Sequence, residues 1–144
     1  MIAAGRRERV EEVFRACAAM DLATVMAAFT EDAVLVDPHY PVVRMEGKAA
    51  IEDGLRWAFG SMSSMRFDIE RYFEAPEGDG AAVEVATHHV LKVGNRHLDF
   101  PQAFVLEFDG ELVRRMQAYE PYGPGGPAGV FIGLERLRRR FRRG

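Results

Sequence analysis

Apolar residues recur at three- and four-residue spacing between Arg6 and Met20, where Val10, Val13, Phe14 and Cys17 share one face of a predicted helix. Asp21 stands before LATVMAAF as an N-cap, because its carboxylate can accept from a free backbone N–H in the first turn of a second, short helix ending near Phe29. The pattern changes at Ala33 to Asp37, which is apolar and β-branched, and Pro38, lacking a ladder donor, ends this strand at Asp37. Val42 to Met45 predicts a brief return strand. Gly47 then precedes KAAIEDGLRWAF, a third helix with Ile51, Leu55 and Ala58 or Phe59 on one face. Met65 to Phe73, Ala82 to Val93, His97 to Phe108 and Glu111 to Tyr119 read as long strands. They are separated by turn clusters at Glu77-Gly78-Asp79-Gly80, Gly94-Asn95 and Asp109-Gly110, which predicts an antiparallel meander. The segment GPGGPAG, Gly123 to Gly129, leads into a last helical stretch in which Leu134, Leu137 and Phe141 share a face.

Helices first and strands afterwards make an α+β layout, three N-terminal helices covering the apolar concave face of a curved antiparallel sheet with a pocket between the layers. A chain of 144 residues, 48% of them hydrophobic, suits a single well-filled core. The expected organisation is one domain over residues 1–122, then a Gly/Pro linker and basic helix over 123–144. No apolar run approaches the roughly 20 residues that span a bilayer, and the start MIAAGRRERVEE becomes charged before a signal-type region forms. The expected setting is therefore the cytoplasm. With Cys17 as the single cysteine, an internal disulfide and a cysteine-based metal cluster are excluded.

The net charge of −3 hides an asymmetry, because Leu134 to Gly144 carries six arginines against Glu135, leaving −8 on the rest of the chain. That acidic remainder offers no interleaved aromatic and basic stripe, so neither nucleic acid nor membrane is an expected partner and the tail reads as a solvated helix face. The histidines lack metal-ligand spacing, and no metal or cofactor is expected. His88 and His89 are strand neighbours and must face opposite ways. Val83, Val85 and Leu91 share parity with His89, which favours His89 as the inward residue, whereas a gapless match through Gly94 favours His88. By the same parity, apolar Met65, Phe67 and Ile69 turn Arg66 and Asp68 outward. His39 and Tyr40, close to Asp37, either orient a ligand or shape the loop, and Trp57 covers a pocket edge or a subunit contact.

AAFTEDAVLVDPHYP (Ala27 to Pro41), MEGKAAIEDGL (Met45 to Leu55) and FDGELVRRMQAYEPY (Phe108 to Tyr122) resemble, in this order, the ketosteroid-isomerase and SnoaL-like polyketide-cyclase branch of the nuclear-transport-factor-2-like superfamily. The resemblance covers about residues 8 to 122 and implies a cone-shaped fold that commonly forms homodimers. It places Asp37 where the isomerases keep their general base, and Glu120 at a pocket-facing position beside Met116 and Ala118. Asp99 would enter the pocket if Pro101 causes a bulge that slips the register. The implied pocket further includes Val13, Cys17, Phe29, Tyr40, Leu55, Trp57, Phe59, Phe67, Gln102 and Phe104. Val13 and Phe104 stand where the isomerases keep their oxyanion-binding tyrosine and acid, so fast steroid isomerisation is not expected.

The resulting expectation is a cofactor-independent cyclase or isomerase of a large apolar polyketide-like metabolite. Asp37 would be its acid–base residue, with Glu120, His89 or Asp99 as partner. Epoxide opening, double-bond isomerisation and non-catalytic binding are the rival readings. Whether Asp37 reaches an open cavity of ligand size separates catalysis from an accessory role, which a pocket plugged by Phe104 and Trp57 would favour.

Overall fold

The computed structural model describes the backbone of residues 2–120 and 126–143. The helices are α1 (Ile2–Ala18), α2 (Leu22–Ala27), α3 (Lys48–Ser61) and α4 (Gly126–Arg142), with a short 3₁₀ turn at Val93–Asn95. The strands are β1 (Phe29–Val36), β2 (Arg44–Glu46), β3 (Met62–Glu74), β4 (Gly80–Leu91), β5 (His97–Asp109) and β6 (Leu112–Tyr119), in sheet order β2-β1-β6-β5-β4-β3. β3 to β6 form the expected antiparallel meander, whereas β1 runs parallel to β6, a pairing that local turn signals do not encode. Asp21 caps α2 as expected, its carboxylate accepting the Thr24 N–H at 3.2 Å and the Thr24 hydroxyl at 2.6 Å.

Strand alternation decides what faces the helices. On β4 every second residue from Ala81 to Leu91 is buried, which puts Val83, Val85, Thr87 and His89 inside. On β5 the inward set is Gln102, Phe104, Leu106 and Phe108, and on β6 it is Val113, Met116 and Ala118. Val10, Val13 and Phe14 of α1, with Ile51 and Leu55 of α3, close the core from the helical side. Burying each such side chain stabilises the fold by about 1.5–3 kcal/mol. Gly54 lets α3 approach the loop after β1, since a Cβ there would collide with the Met45 sulfur and crowd the Tyr40 ring.

α4 docks with the face opposite to the one its sequence pattern suggests. Leu134, Leu137 and Phe141 do share a side, but they are 61%, 46% and 75% exposed, while Ile132 is buried. The side turned to the protein carries Arg136 and Arg139. Arg136 donates to the Pro41 and Tyr40 carbonyls at 3.0 Å and to Pro38 at 3.3 Å, and Arg139 pairs with Asp53 at 2.7 Å. The start of the expected linker at 123–129 falls outside the described residues. Removing Leu134 to Gly144 is expected to leave a folded domain, because Ile132 stays, but at a loss of about 1–2 kcal/mol from the Arg136 bonds. Urea unfolding of the truncated chain checks this, and its collapse to insoluble protein would show that the tail is part of the core.

Candidate active site

The loop after β1 is built around Asp37. Alternation from Ala33 and Leu35 carries the side chain inward, and its Oδ1 accepts the His39 backbone N–H at 2.9 Å, an Asx turn that Pro38 prefigures. The Asp37 N–H donates to Val43 O at 2.9 Å and its carbonyl accepts from Tyr40, so the turn is tied on both sides. Asp37 is 6% exposed. Arg136, bonded to the carbonyls of Pro38, Tyr40 and Pro41, holds the same loop from α4.

Glu120 meets this loop from the end of β6. It continues the Met116 and Ala118 parity, and its Oε1 lies 3.0 Å from His39 Nδ1, which is also 3.8 Å from Asp37 Oδ1. The His39–Glu120 approach is off the ring's N–H axis, so it acts as a close charge pair rather than an aligned hydrogen bond. Gln102 donates to the same Glu120 oxygen at 2.7 Å, and Thr87 donates to the Gln102 carbonyl at 2.6 Å. Ionised Glu120 can only accept, so it fixes the amide with its NH₂ group toward Glu120 and its carbonyl toward the Thr87 hydroxyl.

These contacts divide the two carboxyls. Burial, reinforced by the negative charge of Glu120, raises Asp37 to about 7, against the opposing His39 backbone N–H and ring charge. Burial also acts against the charge on Glu120, but His39 and the Gln102 amide prevail and hold it below the usual carboxylate range. His39 is raised: burial disfavours its charge, and Glu120 and Asp37 more than offset this. At neutral pH the site therefore holds an ionised Glu120 beside an Asp37 divided between acid and base forms. Asp37, His39 and Glu120 also present ligand atoms within 4.8 Å of one another, the spacing that would let these three hold a cation.

Asp37 and His39 line an apolar cavity of about 90 Å³, and Glu120 stands behind them, outside its lining. Phe14 and Cys17 of α1, Leu55, Trp57 and Phe59 of α3, Phe67, Phe104 and Met116 of the sheet, and Phe29 and Tyr40 line it, with Gln102 and His89 as polar exceptions. Phe104 packs edge-on to Phe14 at 5.1 Å and to Phe67 at 6.2 Å, filling the deep end. Phe131 and Ile132 of α4 close the opposite side, with Phe131 5.8 Å from Trp57. Burial pushes the Cys17 thiol up to about 12 and lowers His89 to about 4, so both stay neutral. His89 Nδ1 accepts the Arg66 backbone N–H at 3.3 Å, which leaves the ring proton on Nε2 as a donor.

Three expected site residues lie elsewhere. Val13 and Ala118 are packed in the core, 1% and 3% exposed, and do not line the cavity. Asp99 faces out: β4 and β5 pair through Ala86–Pro101 without a register shift, and Asp99 meets His88 at 2.7 Å on the far face. Arg66 and Asp68 pair at 2.8 Å on that outer face, as their parity predicted. The sequence undervalued His39, which local spacing from Asp37 alone could have marked, and missed Phe131, Ile132 and Arg136, whose positions carry no motif.

Comparisons with known proteins bear on the fold and the family. A Catenulispora acidiphila protein of ketosteroid isomerase-like fold, solved with trimethylamine, is 21% identical, with a TM-score of 0.70 over 81% of this chain and 85% of that one. A provisionally assigned polyketide cyclase from Xanthomonas campestris pv. campestris is 17% identical, with a TM-score of 0.72 over 92% and 98%. A Mycobacterium tuberculosis protein in complex with estradiol-17beta-hemisuccinate is 16% identical, with a TM-score of 0.70 over 80% and 92%. No curated protein matches by sequence. At these identities the structures establish the fold, and the family is established separately by the match of residues 10–116 to the SnoaL-like domain: the chain belongs to the SnoaL-like family.

Proposed function

We propose that the protein is an isomerase or cyclase that moves a proton within an apolar ketone or enol, with Asp37 as the acid–base residue. The observation that carries this reading is a buried carboxyl raised to about 7 by its surroundings at the edge of an apolar cavity. Ionised Asp37 takes a proton from the carbon next to the substrate carbonyl. The electron pair moves onto the oxygen, where His89 Nε2–H donates to the developing negative charge. Protonated Asp37 then returns the proton to another carbon, or the enolate carbon closes a ring on a second carbonyl, whose oxygen becomes an alkoxide and takes the proton back from Asp37. Glu120 stays ionised, and its charge keeps Asp37 basic enough to take the proton.

The ligand of the Mycobacterium tuberculosis relative supports an apolar substrate with a fused-ring body. At about 90 Å³ the cavity lies below the 300–1,000 Å³ of most ligand sites, so a substrate of that size enters only if the walls rearrange. Compact cyclic ketones fit more readily than the large metabolite the sequence suggested.

A panel of apolar cyclic ketones can stand in for the natural substrate in the test. Deuterium wash-in from D₂O next to their carbonyls, followed by NMR, is expected to be accelerated by the wild type and not by Asp37→Asn. Ketones that bind without any exchange would favour the non-catalytic reading. Glu120→Gln is expected to shift the acid limb of the exchange rate to lower pH, because it removes the like charge that raises Asp37. An unmoved limb would remove Glu120 from the account.

A further inference from the structure

α4 carries two unlike faces. At 100° per residue, Val130, Leu134, Leu137 and Phe141 fall within one narrow stripe, nearly opposite Ile132 and Arg139 on the docked side. All four stripe residues are exposed, Val130 by 65%. A contiguous apolar strip on an outward helix face normally marks a surface that something covers.

The charges around the stripe say what fits. Arg136 and Arg139 are turned to the protein, and Glu135, the one acid of the segment, is 11% exposed between Arg138 and Arg139. The outward side thus keeps Arg142 on one flank of the stripe and Arg140 on the other, while Arg138 is held by both oxygens of Glu135. Beside it, Pro41 and Val42 with Leu137, Arg140 and Arg143 form a groove, and Val42 and Val43 add further exposed apolar surface. A second copy of α4 would bring arginines against arginines. Nucleic acid would engage the arginines but leave the apolar stripe in water.

We propose that α4 seats the protein on an anionic lipid surface. The stripe enters the boundary between headgroups and acyl chains, while the long arginine side chains reach back to the phosphates. No described helix is long and apolar enough to cross a membrane, so α4 lies flat on it. This replaces the expectation of a merely solvated tail and does not rest on the pocket's chemistry.

The test is co-sedimentation of the full chain with vesicles of phosphatidylcholine alone or with about one-third phosphatidylglycerol, alongside duplex DNA as a second polyanion. Binding to the anionic vesicles only is expected, weakening as salt rises. Arg140→Gln with Arg142→Gln should weaken it about 30-fold. Leu134→Asp with Leu137→Asp should abolish it while leaving the melting temperature unchanged, since both positions are exposed. The proposal is overturned if the wild type ignores anionic vesicles or binds neutral ones equally. It is also overturned if the double leucine variant binds vesicles and DNA as the wild type does, which would mark a nucleic-acid surface. A dimer that this variant splits, with no vesicle binding, would assign the stripe to a second copy.

Discussion

Asp37→Asn is expected to lower turnover by about 10²- to 10⁴-fold, the range that general acid–base catalysis supplies. The amide keeps the shape of the carboxyl and can still accept the His39 backbone N–H that sets the turn. The same substitution should raise stability above pH 7. A carboxyl whose folded pKa of about 7 exceeds its ordinary 3.8 stabilises the fold fully below about 4, and that contribution is lost as pH rises through 7. Asn has no charge to bury, so its melting temperature at pH 8 should exceed that of the wild type. A variant that is both active and no more stable would show that Asp37 is a solvated turn residue.

His89→Phe carries the second large effect, a loss of about 10²- to 10³-fold in kcat with little change in KM, the usual consequence of removing one donor to a developing oxyanion. Burial holds the ring neutral and the Arg66 N–H occupies Nδ1, so Nε2–H is the donor available to a ligand. His89→Gln, which places an amide N–H near the same point, should recover part of the loss. Equal kcat in wild type and His89→Phe would remove this role and leave Gln102 as the polar group to examine.

The candidate site was legible where strand parity governs it. His89 followed from alternation along β4, whereas Asp37, Glu120, Gln102 and Phe104 were marked by the family resemblance; all lie on the inward parity of their strands, because one face of each strand is buried and a slip would expose it. Asp99 was misplaced because a proline was allowed to imply a bulge. Pro101 instead sits opposite Ala86 in an unbroken ladder, and the register never shifts. Val13 was assigned by carrying a family position across without gaps, and α1 turns that position into the core while Phe14 and Cys17 face the cavity.

α4 shows a different limit. Its apolar periodicity is real but points to solvent, and docking is achieved by Phe131 and Ile132 together with arginines whose partners are backbone carbonyls and Asp53. Carbonyls of a distant loop leave no trace in a hydropathy pattern. The parallel β1–β6 pairing is hidden for the same reason, since Leu35 and Met116 are brought together by the whole intervening fold.

The central claim is that the Asp37 carboxyl is poised to exchange a proton near neutrality. A ¹³C NMR titration of that carboxyl in the folded protein tests it most directly, with a midpoint near 7 predicted for the wild type and a lower one for Glu120→Gln. A wild-type midpoint near the ordinary 3.8 would contradict the account.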